Sequence, residues 1–136
     1  MQIQVKDYMS TSVLTAEETH TIAEVRSLME SDGAHAIPII EYSRDLPDQP
    51  VSIRGIVTTT DLSGAIHDDN LPITEVMTRN VYLIDKEASI GAAANMMFRQ
   101  HVHHLVVMDD GKVSGMLSSL DFVRLVAKHF PEKEEQ

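Results

Sequence analysis

The feature that most constrains this chain is that it runs twice through one pattern. Setting residues 5–41 against 73–109, an offset of 68, pairs Val5 with Ile73, Asp7 with Glu75, Met9 with Met77 and Val13 with Val81. The same offset pairs Thr21 with Ser89, Ile22 with Ile90, Leu28 with Met96, Met29 with Met97, His35 with His103, Ile39 with Val107 and Glu41 with Asp109. Beyond residue 52 the offset falls to 60, because the first copy carries eight extra residues within about 42–52. In the new register Gly55 meets Gly115, Thr58 meets Ser118, Asp61 meets Asp121 and Ile66 meets Val126. A repeat of this length that comes only as a pair points to two copies packed face to face, not to a solenoid.

Both copies read as the same succession of elements. A short opening turn (5–9 and 73–77) leads into an extended piece around 13–15 and 81–83. Thr21 with Glu24 forms a capping box, and the helix after it places Ile22, Val25, Leu28 and Met29 on one face. Gly33 suits its C-terminus. Ser89 caps the matching helix, whose apolar face is Ile90, Ala93, Met96 and Met97. Strands over 36–40 and 53–58 follow, then 105–108 and 113–118. Asp109-Asp110-Gly111-Lys112 has the composition of a hairpin turn, whereas the 42–50 connection is long and rich in Pro, Asp and Arg, hence exposed. Closing helices are expected over 61–67 and 120–130, and a frayed, disordered tail over 131–136. The chain thus divides into a first repeat at 1–67 and a second at 73–130. Met96, Met97, Met108 and Met116 fall at core positions of this pattern.

The two places where a strand runs into a closing helix have the same chemistry. Gly55-Ile56-Val57-Thr58-Thr59-Thr60-Asp61 and Gly115-Met116-Leu117-Ser118-Ser119-Leu120-Asp121 each put a hydroxyl at the strand end and a carboxylate three residues on. A helix N-terminus offers unpaired N–H groups that favour anions. A hydroxyl there suits a phosphate or sugar oxygen, and the carboxylate accepts two hydrogen bonds from a vicinal diol. The bland alternative is a pair of helix caps, with Asp61 and Asp121 complementing the helix dipole.

Composition removes other classes. A formal charge of −10 argues against sequence-independent binding of DNA or RNA. No apolar run approaches the roughly 18 residues of a membrane span, and residues 1–9 contain Lys6 and Asp7 without an apolar core, so no secretory signal is expected. The chain has no cysteine, which rules out disulfides, thiol catalysis and cysteine-held zinc and suits a cytoplasmic protein.

With these motifs in place, the chain resembles the cystathionine-β-synthase (CBS) domain family, present as a tandem pair or Bateman module over about residues 3–130. The resemblance rests on the two Gly-x-x-[Thr/Ser]-x-x-Asp motifs, the openings Val5-Lys6-Asp7-Tyr8-Met9 and Ile73-Thr74-Glu75-Val76-Met77, and the strands Ile37-Pro38-Ile39-Ile40-Glu41 and Leu105-Val106-Val107-Met108-Asp109. It implies an α/β (α+β) fold of two pseudo-two-fold-related β-α-β-β-α repeats packed through their sheets. It also implies a regulatory module without catalysis, binding an adenine nucleotide such as AMP, ADP, ATP or another adenosine compound in clefts between the repeats and signalling to an unknown protein effector. By position, Asp61 and Asp121 take the ribose hydroxyls and Thr58 and Ser118 sit near ribose or phosphate. Thr15, Ala36, Ile37 and Pro38 line the first cleft, and Leu83, His103, His104 and Leu105 the second. The stretch 102–107 is similar to one in the γ-subunits of energy-sensing kinases that supplies basic side chains to AMP or ATP. An Arg there is replaced here by His104, which makes phosphate binding weaker and more sensitive to pH. The first copy has Ala36 after His35, so if one cleft alone is filled the second is favoured.

The residues admit three further readings. On a strand His101 and His103 would share a face with His104 nearby, a possible start of a metal site, but no second cluster at ligand spacing exists and none is expected. No Ser-His-Asp order or paired-carboxylate pattern supports an enzyme, and a Ser118–His104 pair would lack an oxyanion hole. A ligand-free interaction module is the alternative function. The closing helix with Leu120, Phe122, Val123, Leu125 and Val126 is apolar enough to join two copies, and a homodimer is what the resemblance implies. No nucleic-acid or membrane partner is expected.

Overall fold

The computed structural model of the chain describes residues 2–11, 14–41, 51–63 and 68–133. It is an α+β structure with two three-stranded sheets of identical connectivity. In the first sheet β1 (Ala16–Glu17) lies parallel to β2 (Ala36–Glu41), which lies antiparallel to β3 (Ser52–Thr58). In the second, β4 (Leu83–Asp85) lies parallel to β5 (His104–Asp109), and β5 neighbours β6 (Lys112–Ser118). The registers obey the sequence repeat: Ala16 faces Ile39, and Ile84, which stands 68 positions after Ala16, faces Val107.

Each opening strand lies later than expected, at 16–17 instead of 13–15 and at 83–85 instead of 81–83. Pairing with the central strand decides where these pieces become strands, and local β-propensity does not. The expectation for Val13 lies outside the described residues. So do the 42–50 loop, residues 64–67 of the first closing helix, and 134–136 of the tail.

Helices α1 (Ile22–Asp32) and α3 (Ile90–Gln100) start where the caps predict. The Thr21 amide donates to Glu24 Oε1 at 3.0 Å, and the Glu24 amide to Thr21 Oγ1 at 3.1 Å. The Thr21 amide first, and its hydroxyl second, hold the Glu24 carboxyl below its ordinary value. At α3 the cap is one-way, from the Ala92 amide to Ser89 Oγ at 3.1 Å. Gly33 ends α1 at φ 67°, the left-handed conformation that favours glycine. The β5–β6 turn is left-handed at Asp110 and Gly111, as a two-residue hairpin requires. Closing helices α2 (Thr59–Ser63) and α4 (Ser119–His129) follow β3 and β6.

Two compact units result, and they do not cut the chain where the sequence repeats do. One is Val13–Val81 with Asp110–Lys112, and the other is Met1–Ser12, Tyr82–Asp109 and Val113–Gln136. The opening segment of each copy therefore belongs to the body of the other. In the first-sheet unit the 3-10 turn Ile73–Glu75 delivers Ile73 and Met77 to a core of Ile22, Val25, Met29, Ile37, Ile39 and Val57. In the second-sheet unit the turn Val5–Asp7 delivers Val5 and Tyr8 to a core with Ile84, Ala93, Met97, Leu105, Val107 and Leu117.

Isolated bridges repeat this exchange at matching positions: Gln4 with Ser89 and Ser10 with Met116 in one unit, Pro72 with Thr21 and Thr78 with Ile56 in the other. The bridges explain the paired glycines. A Cβ at Gly55 would stand 2.7 Å from Met77 Sδ and 2.9 Å from the Thr78 carbonyl oxygen, and one at Gly115 would collide with the Ser10 backbone. Glycine at these two positions lets an opening segment lie against the edge strand.

Candidate functional site

The two strand-to-helix corners carry most of the polar candidates. At the first, the Thr58 amide and hydroxyl both donate to Asp61 Oδ2, at 2.9 and 3.0 Å, and the Asp61 amide approaches Thr58 Oγ1 at 3.3 Å. At the second, the Ser118 amide donates to Asp121 Oδ2 at 2.8 Å and its hydroxyl reaches the same oxygen at 3.4 Å. Each motif is thus a capping box built on aspartate, and each carboxylate is anchored through one oxygen. Both aspartates are half-buried. The corner is tied to the turn before the central strand in both units: the Thr59 amide donates to the His35 carbonyl at 3.0 Å, and the Ser119 amide to the His103 carbonyl at 2.9 Å. The repeat thereby brings His35 beside Thr58–Thr59 and His103 beside Ser118–Ser119.

The other sequence-predicted residues distribute by burial. Thr15, Ala36 and His104 are half-buried, and His103 and Leu83 are exposed. Ile37 and Leu105 lie within the two hydrophobic cores and Pro38 is fully buried, so toward any ligand these three offer backbone only. His101 is not on a strand. It ends α3 with φ 56°, donating its amide to the Met97 carbonyl, and β5 begins only at His104, so the shared face imagined for His101 and His103 does not form. Among the described residues no group of three or more His, Cys, Asp or Glu side chains gathers to hold a metal ion.

Two arginines that the sequence reading passed over stand near the corners. In the second-sheet unit Arg124 Nη2 donates to the Tyr8 carbonyl at 2.7 Å and meets Asp121 Oδ1 at 3.4 Å. Its guanidinium lies 5.0 Å from the Tyr8 ring centroid, and the Tyr8 hydroxyl is 3.1 Å from His129 Nε2. The signal was available, because residues three apart on a helix are neighbours and Arg124 follows Asp121 by three. In the first-sheet unit Arg26 pairs with Asp69 at 2.7 Å and reaches the Leu62 carbonyl at 3.5 Å. The Asp69 bond raises the guanidinium above its ordinary value. Arg26 also lines a pocket of about 400 Å³ with Met29, Glu30, His35, Thr59 and Leu62. That pocket borders the first corner without including Thr58 or Asp61.

Comparison with known proteins gives a consistent picture. The CBS domain family matches residues 5–68 and 73–128. An uncharacterised protein of Methanocaldococcus jannaschii, MJ0188, is 28% identical over 99% of this chain and 49% of its own length. A homoserine O-acetyltransferase of Methanosphaera stadtmanae is 32% identical over 92% of this chain, but over 24% of its own length. The chain therefore spans half or less of these relatives. Among solved structures, the CBS domain pair of protein MJ0100 in complex with 5′-methylthioadenosine and S-adenosyl-L-methionine superposes with a TM-score of 0.78 at 25% identity, over 95% of this chain and 99% of that one.

Proposed function

The chain belongs to the CBS domain family, as a tandem pair, and on that premise we propose that it is a non-catalytic regulatory module that binds an adenosine compound and passes the bound state to a protein effector. The observation that carries this reading is the pair of capped aspartates. Asp61 and Asp121 are each oriented by their own N-cap through Oδ2, which leaves acceptor capacity for the vicinal hydroxyls of a ribose. The MJ0100 pair supports the ligand class, because both compounds in that structure carry an adenosine ribose. Candidate ligands are AMP, ADP, ATP and S-adenosylmethionine. Among the described residues no helix is long and apolar enough to cross a membrane, and the absence of cysteine supports a cytoplasmic setting.

The test is a thermal-shift panel with these ligands on the wild type and on Asp121→Ala. Ligand at one hundred times its dissociation constant adds about 2.7 kcal/mol, several degrees for a domain of this size. A charged hydrogen bond contributes about 1.5–3 kcal/mol, so Asp121→Ala weakens binding roughly ten- to a hundredfold. No shift with any compound overturns the ligand reading.

A second reading, an interaction module without a ligand, is favoured by a different surface. Leu120, Val123, Val126 and Phe130 on or just beyond α4 are 69, 61, 53 and 74% exposed. Their spacing forms a stripe along the helix that suits a second copy of the chain. Both readings accommodate a homodimer through this face, and a monomeric mass in light scattering at tens of micromolar protein counts against it.

A further inference from the structure

We propose that Arg124 makes the two corners select ligands of different charge: the second-sheet unit takes an adenosine compound with a phosphate or other anionic group, and the first-sheet unit takes a neutral or cationic one. This rests on the adenosine reading above.

The two motif aspartates have the same cap but different charge surroundings. Asp121 has a guanidinium beside its outer oxygen, 3.4 Å away. That guanidinium is held from two other directions, by the Tyr8 carbonyl at 2.7 Å and by the Tyr8 ring beneath it, yet its side chain is 59% exposed. A positioned, accessible arginine with a planar fork of donors is suited to a phosphate or carboxylate. It also cancels the charge of Asp121, so an anion can approach the diol-binding carboxylate without net repulsion.

Among the described residues no equivalent guanidinium meets Asp61. In the repeat register the counterpart of Arg124 is Gly64 and the counterpart of Tyr8 is Val76. Among the described residues Asp61 takes part in no ion pair. The arginine of that unit, Arg26, is committed to Asp69 at 2.7 Å, and Glu30 adds a further negative charge at the same face. The first corner is therefore, among the described residues, net negative. It repels a phosphate and tolerates an uncharged thioether nucleoside or a sulfonium.

The experiment is isothermal titration with AMP and with adenosine, in proteins that all carry Asp61→Ala so that binding reports the Asp121 corner. Arg124→Gln lowers the ratio of AMP to adenosine affinity about tenfold, the effect of one lost charge at close range. Arg124→Lys keeps the charge but loses the planar fork stacked on Tyr8, so it lowers the ratio by less than Arg124→Gln does. Lys128→Gln, which removes a charge in the last turn of α4, leaves the ratio unchanged. Arg124→Gln also loosens Tyr8, but a loss of stability moves both ligands together and leaves the ratio alone. Binding of both ligands with an unchanged ratio in Arg124→Gln overturns the selection while the adenosine reading stands. Binding of neither ligand to the parent overturns both.

Discussion

The two units are one design carried out twice, and the places where they agree differ in kind from the places where they part. Strand register, the bridge from the opening segment, the glycine under that bridge and the aspartate capping box are the same in both. The differences are a two-residue hairpin against a longer connecting sequence, Arg124 with Tyr8 where the first copy's sequence has Gly64 and Val76, and an apolar stripe along α4. Steric and hydrogen-bonding demands hold the frame fixed in each unit. Ligand charge and partner contact are proposed to rest on residues that differ between the two copies.

The sharpest way to break this comparison is to attack the exchange of opening segments. Ile73 is fully buried, in a core whose other members, apart from Met77 of its own turn, are first-copy residues. Ile73→Ala should cost about 2–5 kcal/mol, as large-to-small changes in well-packed cores do. Amide exchange should speed up first in β2 and β3. Faster exchange confined to β4–β6 would mean that Ile73 supports its own sequence copy, and the exchange would be wrong.

Gly55 and Gly115 sharpen the comparison, because the same substitution meets different neighbours. At Gly115 the added Cβ meets the Ser10 backbone, which cannot yield without breaking the Ser10–Met116 bridge. At Gly55 the nearest atom is the flexible Met77 sulfur at 2.7 Å, with the Thr78 carbonyl oxygen next at 2.9 Å. Overpacking typically costs about 1–3 kcal/mol and occasionally more. Gly115→Ala should fall at or above the top of that range and Gly55→Ala within it, by urea denaturation. Equal costs would mean that the bridges yield alike.

Features written over a few adjacent residues were legible in the sequence. Thr21 with Glu24, Ser89, Gly33 and the Asp110–Gly111 turn each depend on local geometry, and each stands where the pattern placed it. The exchange was not legible, since the apolar residues of an opening turn say that it is buried and not in which core. The paired glycines were visible as a register mark, but their reason lies in a segment more than twenty residues away along the chain for Gly55 and about a hundred for Gly115. His101 was misread because a left-handed helix end and a strand start look alike in a run of histidines. At the candidate site the two aspartates were found from their spacing. The i,i+3 spacing of Arg124 to Asp121 was readable, but its hold by Tyr8 was not, because Tyr8 comes from the exchanged segment.

The smallest expected effect separates the two first helices of the repeats. Thr21 and Ser89 hold the same position, and replacing either by Ala should cost roughly 1 kcal/mol at neutral pH. Only α1 has a carboxylate in its cap, since the third helical residue of α3 is Ala92. Glu24 has a folded-state value below its ordinary one because of its bonds to Thr21. A group depressed in this way stabilises the fold above its unfolded value, and that contribution is lost as pH falls through the folded value. The cost of Thr21→Ala should therefore shrink below the ordinary glutamate range, while the cost of Ser89→Ala stays flat over the same interval. Tm measured for both variants and the wild type from pH 6 downward decides it. Parallel curves would show that the Glu24 side of the box adds nothing, and the two caps would then be equivalent.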